Sequence, residues 1–103
     1  LSARVGSITD NRLGGWISYR SSKAALNQII KTSSIEINRR NKNAICVGLH
    51  PGTVKTKFTE KFQNTTKTIS PKESVEMMMK VVENLSVDDN GYCFAYDGKV
   101  IPA

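Results

Sequence analysis

No apolar run in the sequence approaches the roughly 18 residues that a helix needs to cross a bilayer, which argues against a helical membrane span. From Leu1 onward, the opening residues lack the basic and apolar zones of a secretory signal. Histidine occurs once, as His50, and cysteine twice, as Cys46 and Cys93, without the spacing that binds a metal; no metal site is expected. Both cysteines lie in apolar surroundings and read as reduced core residues of a cytoplasmic protein, a disulfide between them being the alternative. Aromatic residues are few, and none alternates with basic ones as a single-strand nucleic-acid groove requires. The net charge of +6 is scattered, and its one cluster, Arg39, Arg40 and Lys42, falls where a helix should end, so it complements the helix dipole. Neither a nucleic-acid nor a membrane partner is expected.

The 103 residues present make at most one small domain, with no internal repeat or low-complexity tract. Leu1 to Val5 reads as the end of a strand, and residues 6–16, rich in Gly, Asn, Asp and Arg, as a loop. From about Ile17 to Arg40 the pattern is helical, with Leu26, Ile30, Ser33 and Ile37 on one face. Residues 44–49 form a short continuous apolar run, as in a strand covered on both faces. Residues 50–69 make a long polar loop with six threonines, a length that is uncommon unless functional. Ser70-Pro71-Lys72-Glu73 then starts a helix, with Ser70 as N-cap and Pro71 in the first position. Val75, Met78, Met79, Val82 and Leu85 are its expected buried stripe. A turn at Asp88–Gly91 leads into a last strand, Tyr92–Tyr96. Strands alternating with helices predict an α/β fold with a parallel sheet. Both loops that follow strands, 6–16 and 50–69, should then line the same site at the carboxyl ends of the strands.

Tyr19 and Lys23 are four residues apart on the first helix, hence stacked on one face. An ammonium close to a phenol favours the phenolate and makes such a tyrosine a usable proton donor or acceptor near neutral pH. Spacing alone is weak support, because an exposed helix turn offers the same pair by chance. Its context is more specific. Tyr19-Arg-Ser-Ser-Lys23-Ala-Ala-Leu-Asn27 resembles the active-site helix of the short-chain dehydrogenase/reductases. His50-Pro-Gly-Thr-Val-Lys-Thr56, directly after a buried strand, resembles that family's Pro-Gly segment, and Ser2-Ala-Arg-Val-Gly-Ser-Ile8 its serine-bearing strand end. Asp10-Asn11, Gly14-Gly15-Trp16 and Tyr96-Asp97-Gly98 point, within that family, to the sniffer- and C-factor-like carbonyl reductases.

The resemblance implies the C-terminal half of a doubly wound, Rossmann-type parallel-sheet domain, whose activity interconverts a carbonyl and an alcohol with NADP or NAD, NADPH being favoured. It implies that Tyr19 exchanges the proton with the substrate oxygen and that Lys23 supports it and binds the nicotinamide ribose. Ser7, or alternatively Ser2, would steady the carbonyl oxygen; Ala3 stands where many relatives have a second serine. Pro51 and Gly52 would shape the close approach to the nicotinamide, with Val54 and Thr56 holding its carboxamide. Trp16 reads as a residue packing at the helix entrance, Arg20 as solvent-facing, and His50 as a loop residue and not a base. The family's Gly-rich phosphate turn has no counterpart in these residues, so the chain by itself is expected to be inactive. A homo-oligomer formed through the active-site helix is implied as well. The competing reading is a non-catalytic remnant serving as an interaction or assembly module.

Overall fold

The computed structural model describes residues 1–57 and 67–103. Its elements are helix α1 (Ile17–Arg40), strand β1 (Gly48–His50), helix α2 (Pro71–Glu83), strand β2 (Cys93–Ala95) and strand β3 (Val100–Ile101). Short 3-10 turns cover Arg4–Gly6 and Val87–Asp89. Residues 58–66 of the long polar loop lie outside the described residues. No described helix is long and apolar enough to cross a membrane.

The sheet has the order β1-β2-β3. Strands β1 and β2 are parallel, with Gly48 opposite Cys93 and His50 opposite Ala95. Their connection contains α2, the crossover that parallel pairing requires. Strand β3 runs antiparallel to β2, with Cys93 opposite Ile101. Only Tyr96 to Lys99 separate these two strands, too few for a crossover, so the chain reverses in a hairpin in which Asp97 accepts the Lys99 N–H at 3.1 Å. The all-parallel sheet expected from alternation is therefore mixed. Leu1–Val5 also differs from the expected strand end. The Ser2 N–H donates to the Leu49 carbonyl at 2.8 Å, after which the chain tightens into the 3-10 turn.

Helix α1 spans the residues its periodicity predicts, and Arg39 and Arg40 occupy its last turn. Its buried residues are Ile30 and Ser34. Ile30 reaches β1, where a Cβ on Gly48 would lie 3.0 Å from its Cδ1. Ser34 takes the buried position expected for Ser33, because the Asn90–Gly91 turn presses there: Asn90 Nδ2 donates to the Ser34 carbonyl at 3.0 Å. Helix α2 begins as predicted, the Ser70 hydroxyl accepting the Glu73 N–H at 3.1 Å. Its expected stripe is not buried, since Val75, Met79 and Val82 are all exposed and only Ser74 is enclosed. Strands of two or three residues offer little area for a 13-residue helix to cover. The Ser74 hydroxyl fixes the helix instead, donating to the Pro51 carbonyl at 2.6 Å.

The turn at Arg4–Gly6 packs directly on α1. A Cβ on Gly6 would lie 2.8 Å from the carbonyl carbon of Lys23 and 2.9 Å from Asn27 Nδ2, closer than side chains approach. Gly6→Ala is expected to cost about 1–3 kcal/mol, as overpacking does. It should be read as a lower urea midpoint at constant slope, and an unchanged midpoint would refute the contact.

His50 ends β1, with its ring 6.3 Å from that of Tyr96 and its Nδ1 buried without a hydrogen-bond partner among the described residues. Burial, and secondarily the nearby positive Arg4, lower its pKa from the usual 6.5, while Asp97 partly opposes them. The unfolded chain therefore takes up the proton first as pH falls. The contribution of His50 to stability is whole above about pH 6.5 and declines as pH drops from there towards its folded value. His50→Gln should flatten the decline of stability below about pH 6.5 in denaturant titrations. An equal slope in both proteins would show that His50 does not carry it.

Candidate active site

Tyr19 and Lys23 occupy the first two turns of α1, immediately after the loop that enters it. Lys23 Nζ lies 5.8 Å from the centroid of the Tyr19 ring, within cation–π reach, and donates to the Leu1 carbonyl at 3.5 Å. That bond is long, and the ammonium carries three donors, so Lys23 keeps capacity for a further partner. Tyr19 remains partly exposed, and its ring meets that of Trp16 edge to face, 6.2 Å between centroids at 89°.

Asn27 stands one further turn along the same face of α1. Its Oδ1 accepts from the Ser2 hydroxyl at 2.5 Å and from Cys93 Sγ at 3.4 Å. Burial raises the pKa of the Cys93 thiol, with a backbone hydrogen bond involving Gly48 opposing in part, so the sulfur keeps its proton for that bond. Neither Cys46 nor Cys93 forms a disulfide. The 19/23/27 spacing was the available signal for Asn27, since it places all three side chains in one column.

The two candidate serines are both buried. Ser2 is committed to Asn27. The Ser7 hydroxyl donates to the Ala103 carbonyl at 3.3 Å and accepts the Asp10 N–H at 3.0 Å, and it is 2 % exposed. One of its hydrogen bonds thus holds the loop at Asp10 and the other holds Ala103, beyond β3. An open cleft of about 420 Å³ beneath that loop is lined in part by Ser7, Asn11, Arg20 and Ser21.

Pro51 and Gly52 follow β1 directly and are half-buried. Gly52 has φ +81°, and a Cβ on it would lie 3.0 Å from two ring carbons of Tyr96 and 3.2 Å from Ile69 Cδ1. Both conformation and space therefore require glycine here. Val54 pairs with Ile69 in an isolated parallel bridge, with Lys55 N–H donating to the Ile69 carbonyl at 2.9 Å and Ile69 N–H to that of Thr53 at 3.0 Å. Val54 is half-buried and Thr56 exposed.

Two groups therefore assemble, Tyr19–Lys23 with Trp16, and the Pro51–Val54 turn. They are linked through the start of the chain: Lys23 bonds Leu1, and Ser2 bonds Leu49, two residues before Pro51. The Pro51–Val54 turn follows the carboxyl end of β1 directly, where α/β sheets place their ligands.

No family model matches the chain. An uncharacterised oxidoreductase of Schizosaccharomyces pombe is 38% identical over 114 aligned positions, covering 98% of this chain and 44% of the relative. The carbonyl reductase Sniffer of Drosophila melanogaster superposes with a TM-score of 0.86 at 32% identity, covering 100% of this chain and 39% of that one. An NADPH-bound carbonyl reductase from chicken fatty liver superposes with a TM-score of 0.82 at 38% identity, covering 99% and 40%. The chain spans about two fifths of the length of these proteins. With the fold of those reductases and the Tyr19–Lys23 helix, it belongs to the short-chain dehydrogenase/reductase family, as a C-terminal portion.

Proposed function

We propose that residues 1–103 are the catalytic portion of a Rossmann-type oxidoreductase that interconverts a small carbonyl compound and its alcohol with NADP(H). The observation that carries this reading is the Tyr19–Lys23 pair, standing together on one face of α1 with Lys23 tied to the start of the chain. NADPH, the cofactor named for the chicken carbonyl reductase, supplies the hydride when bound.

The chain's own residues supply the proton and the positioning. The Tyr19 hydroxyl donates its proton to the carbonyl oxygen as the alcohol forms and recovers it from solvent or from the Lys23 side. Lys23 favours the negative charge left on the phenol oxygen and turns its remaining donors to the ribose hydroxyls of the cofactor. Gly52 turns in the left-handed region against the Tyr96 ring and Ile69, so with Pro51 it would offer the nicotinamide a backbone surface of fixed path. The Val54 backbone and the Thr56 side chain would hold its carboxamide. Ser7 can steady the substrate oxygen only by exchanging its bond to Ala103, so in this reading it first shapes the loop. The adenosine half of the cofactor needs a Gly-rich turn that these residues do not contain, so residues 1–103 alone are proposed to be inactive. A cytoplasmic setting is part of the same proposal, and so is self-association through α1, whose Ile29 and Ile37 are exposed.

In a reductase carrying this segment, Tyr19→Phe is expected to lower carbonyl turnover by about 10²–10⁴-fold, the scale of a lost general acid, while NADPH still binds. Turnover with NADPH and a small aldehyde, beside a fluorescence titration of the cofactor, measures both. A variant that keeps most of its turnover would refute the assignment. Lys23→Met should instead weaken both turnover and NADPH binding, because its ammonium serves the phenol and the ribose together. Unchanged cofactor affinity would separate Lys23 from the ribose.

A further inference from the structure

We propose that Arg20 is a positioning residue of this site, locking a left-handed turn that holds the Trp16 indole against Tyr19. The functional meaning of this contact rests on the reading of Tyr19 given above, but the contact itself can be tested without turnover.

Helix α1 starts without a side-chain cap, on a Trp16 with φ 54° and ψ 42°. Gly14 and Gly15 before it have φ 67° and 76°. Three consecutive residues thus occupy the left-handed region. Glycine accepts it freely, but a bulky side chain persists there only where its surroundings impose it. A Cβ on either glycine would meet nothing within 4 Å, so the two glycines serve the backbone path alone.

Arg20 imposes that path. Its Nε donates to the Gly15 carbonyl at 2.9 Å, its Nη2 to the Gly14 carbonyl at 3.1 Å and its Nη1 to the Val5 carbonyl at 3.4 Å. One planar guanidinium therefore ties the glycine turn to the segment entering the loop, and it does so from the residue next to Tyr19. Asn11 adds a second tie, its Oδ1 accepting the Gly14 N–H at 3.0 Å. A lysine could satisfy one of these carbonyls but not a pair, because its ammonium is a point donor and not a fork.

The product of the locked turn is the placement of one side chain. The Trp16 indole is 58 % exposed, so burial in a core does not explain its position. It stands edge to face with Tyr19, where it limits the swing of the phenol ring and so the direction of the hydroxyl. Arg20 acts on Tyr19 only through Trp16, which makes it a positioning residue and not a catalytic one.

Trp16 is the only tryptophan, so indole fluorescence reports on this turn alone. Arg20→Gln and Arg20→Lys should each raise acrylamide quenching about twofold and lower the anisotropy, with helical circular dichroism retained, because the indole loses its fixed setting. Failure of Lys to rescue identifies the fork rather than the charge. In a reductase carrying the segment, both variants should lower kcat about tenfold with the KM for NADPH unchanged, as a misoriented proton donor does. Unchanged quenching and anisotropy in both variants would overturn the proposal. So would loss of the helix in both, or a released indole with undiminished kcat. If Tyr19→Phe keeps its activity while Arg20→Lys still frees the indole, the functional reading fails and the Arg20–Trp16 contact stands.

Discussion

The carboxamide oxygen of Asn27 is where three distant parts of the chain meet, and the arrangement of the site depends on it. It accepts from Ser2 at the start of the chain and from Cys93 in β2, while standing on α1 itself. An oxygen with two donors is satisfied, and each donor would lose its partner if the helix turned or slid. The Ser2 backbone meanwhile bonds to Leu49, so helix, strand and opening segment share one register. Lys23 lies one turn before Asn27 on the same column, and its orientation towards Leu1 follows from that register. Gly6, which leaves no room for a side chain against Lys23 and Asn27, closes the same contact from the loop side.

The second half of the site is fixed by different means. The Pro51–Val54 turn, packed at Gly52 against Tyr96 and Ile69, is also held by polar ties. Ser74 bonds the Pro51 carbonyl from α2, and the backbone of residues 53–55 pairs with Ile69. Because the Ser70 cap sets where α2 begins, it also sets which residue, one turn later, faces Pro51. A helix-start motif thus bears on the loop that would meet the nicotinamide.

Elements with strong local signals were legible in the sequence. The long apolar periodicity of α1 and the Ser-Pro-x-Glu start of α2 predict helices where they occur, because capping and helical phase are local properties. Elements determined by tertiary contact were not. Strand β3 is two residues long and exists by pairing with β2. Ser34 rather than Ser33 is buried because the Asn90–Gly91 turn arrives there, which no periodicity records. The stripe on α2 has the right spacing for burial, but the short strands give it nothing broad to cover. Tyr19 and Lys23 were legible from spacing and motif together. The commitments of Ser2 and Ser7 were not, since a hydroxyl's partner 25 or 96 residues away leaves no trace in local pattern. Arg20 reads as a solvent-facing helix residue because sequence does not show that the preceding loop curls back over it.

The two sides of the small sheet differ in their capacity to accept another strand. Strand β3 is short, reverses direction against β2, and is preceded by the charged turn containing Asp97 and Lys99, all features that discourage a further chain from pairing. The side of β1 away from β2 carries a different surface, a parallel strand met by the Ser2 N–H at Leu49. The β3 side is thus the edge less suited to pairing with a further strand.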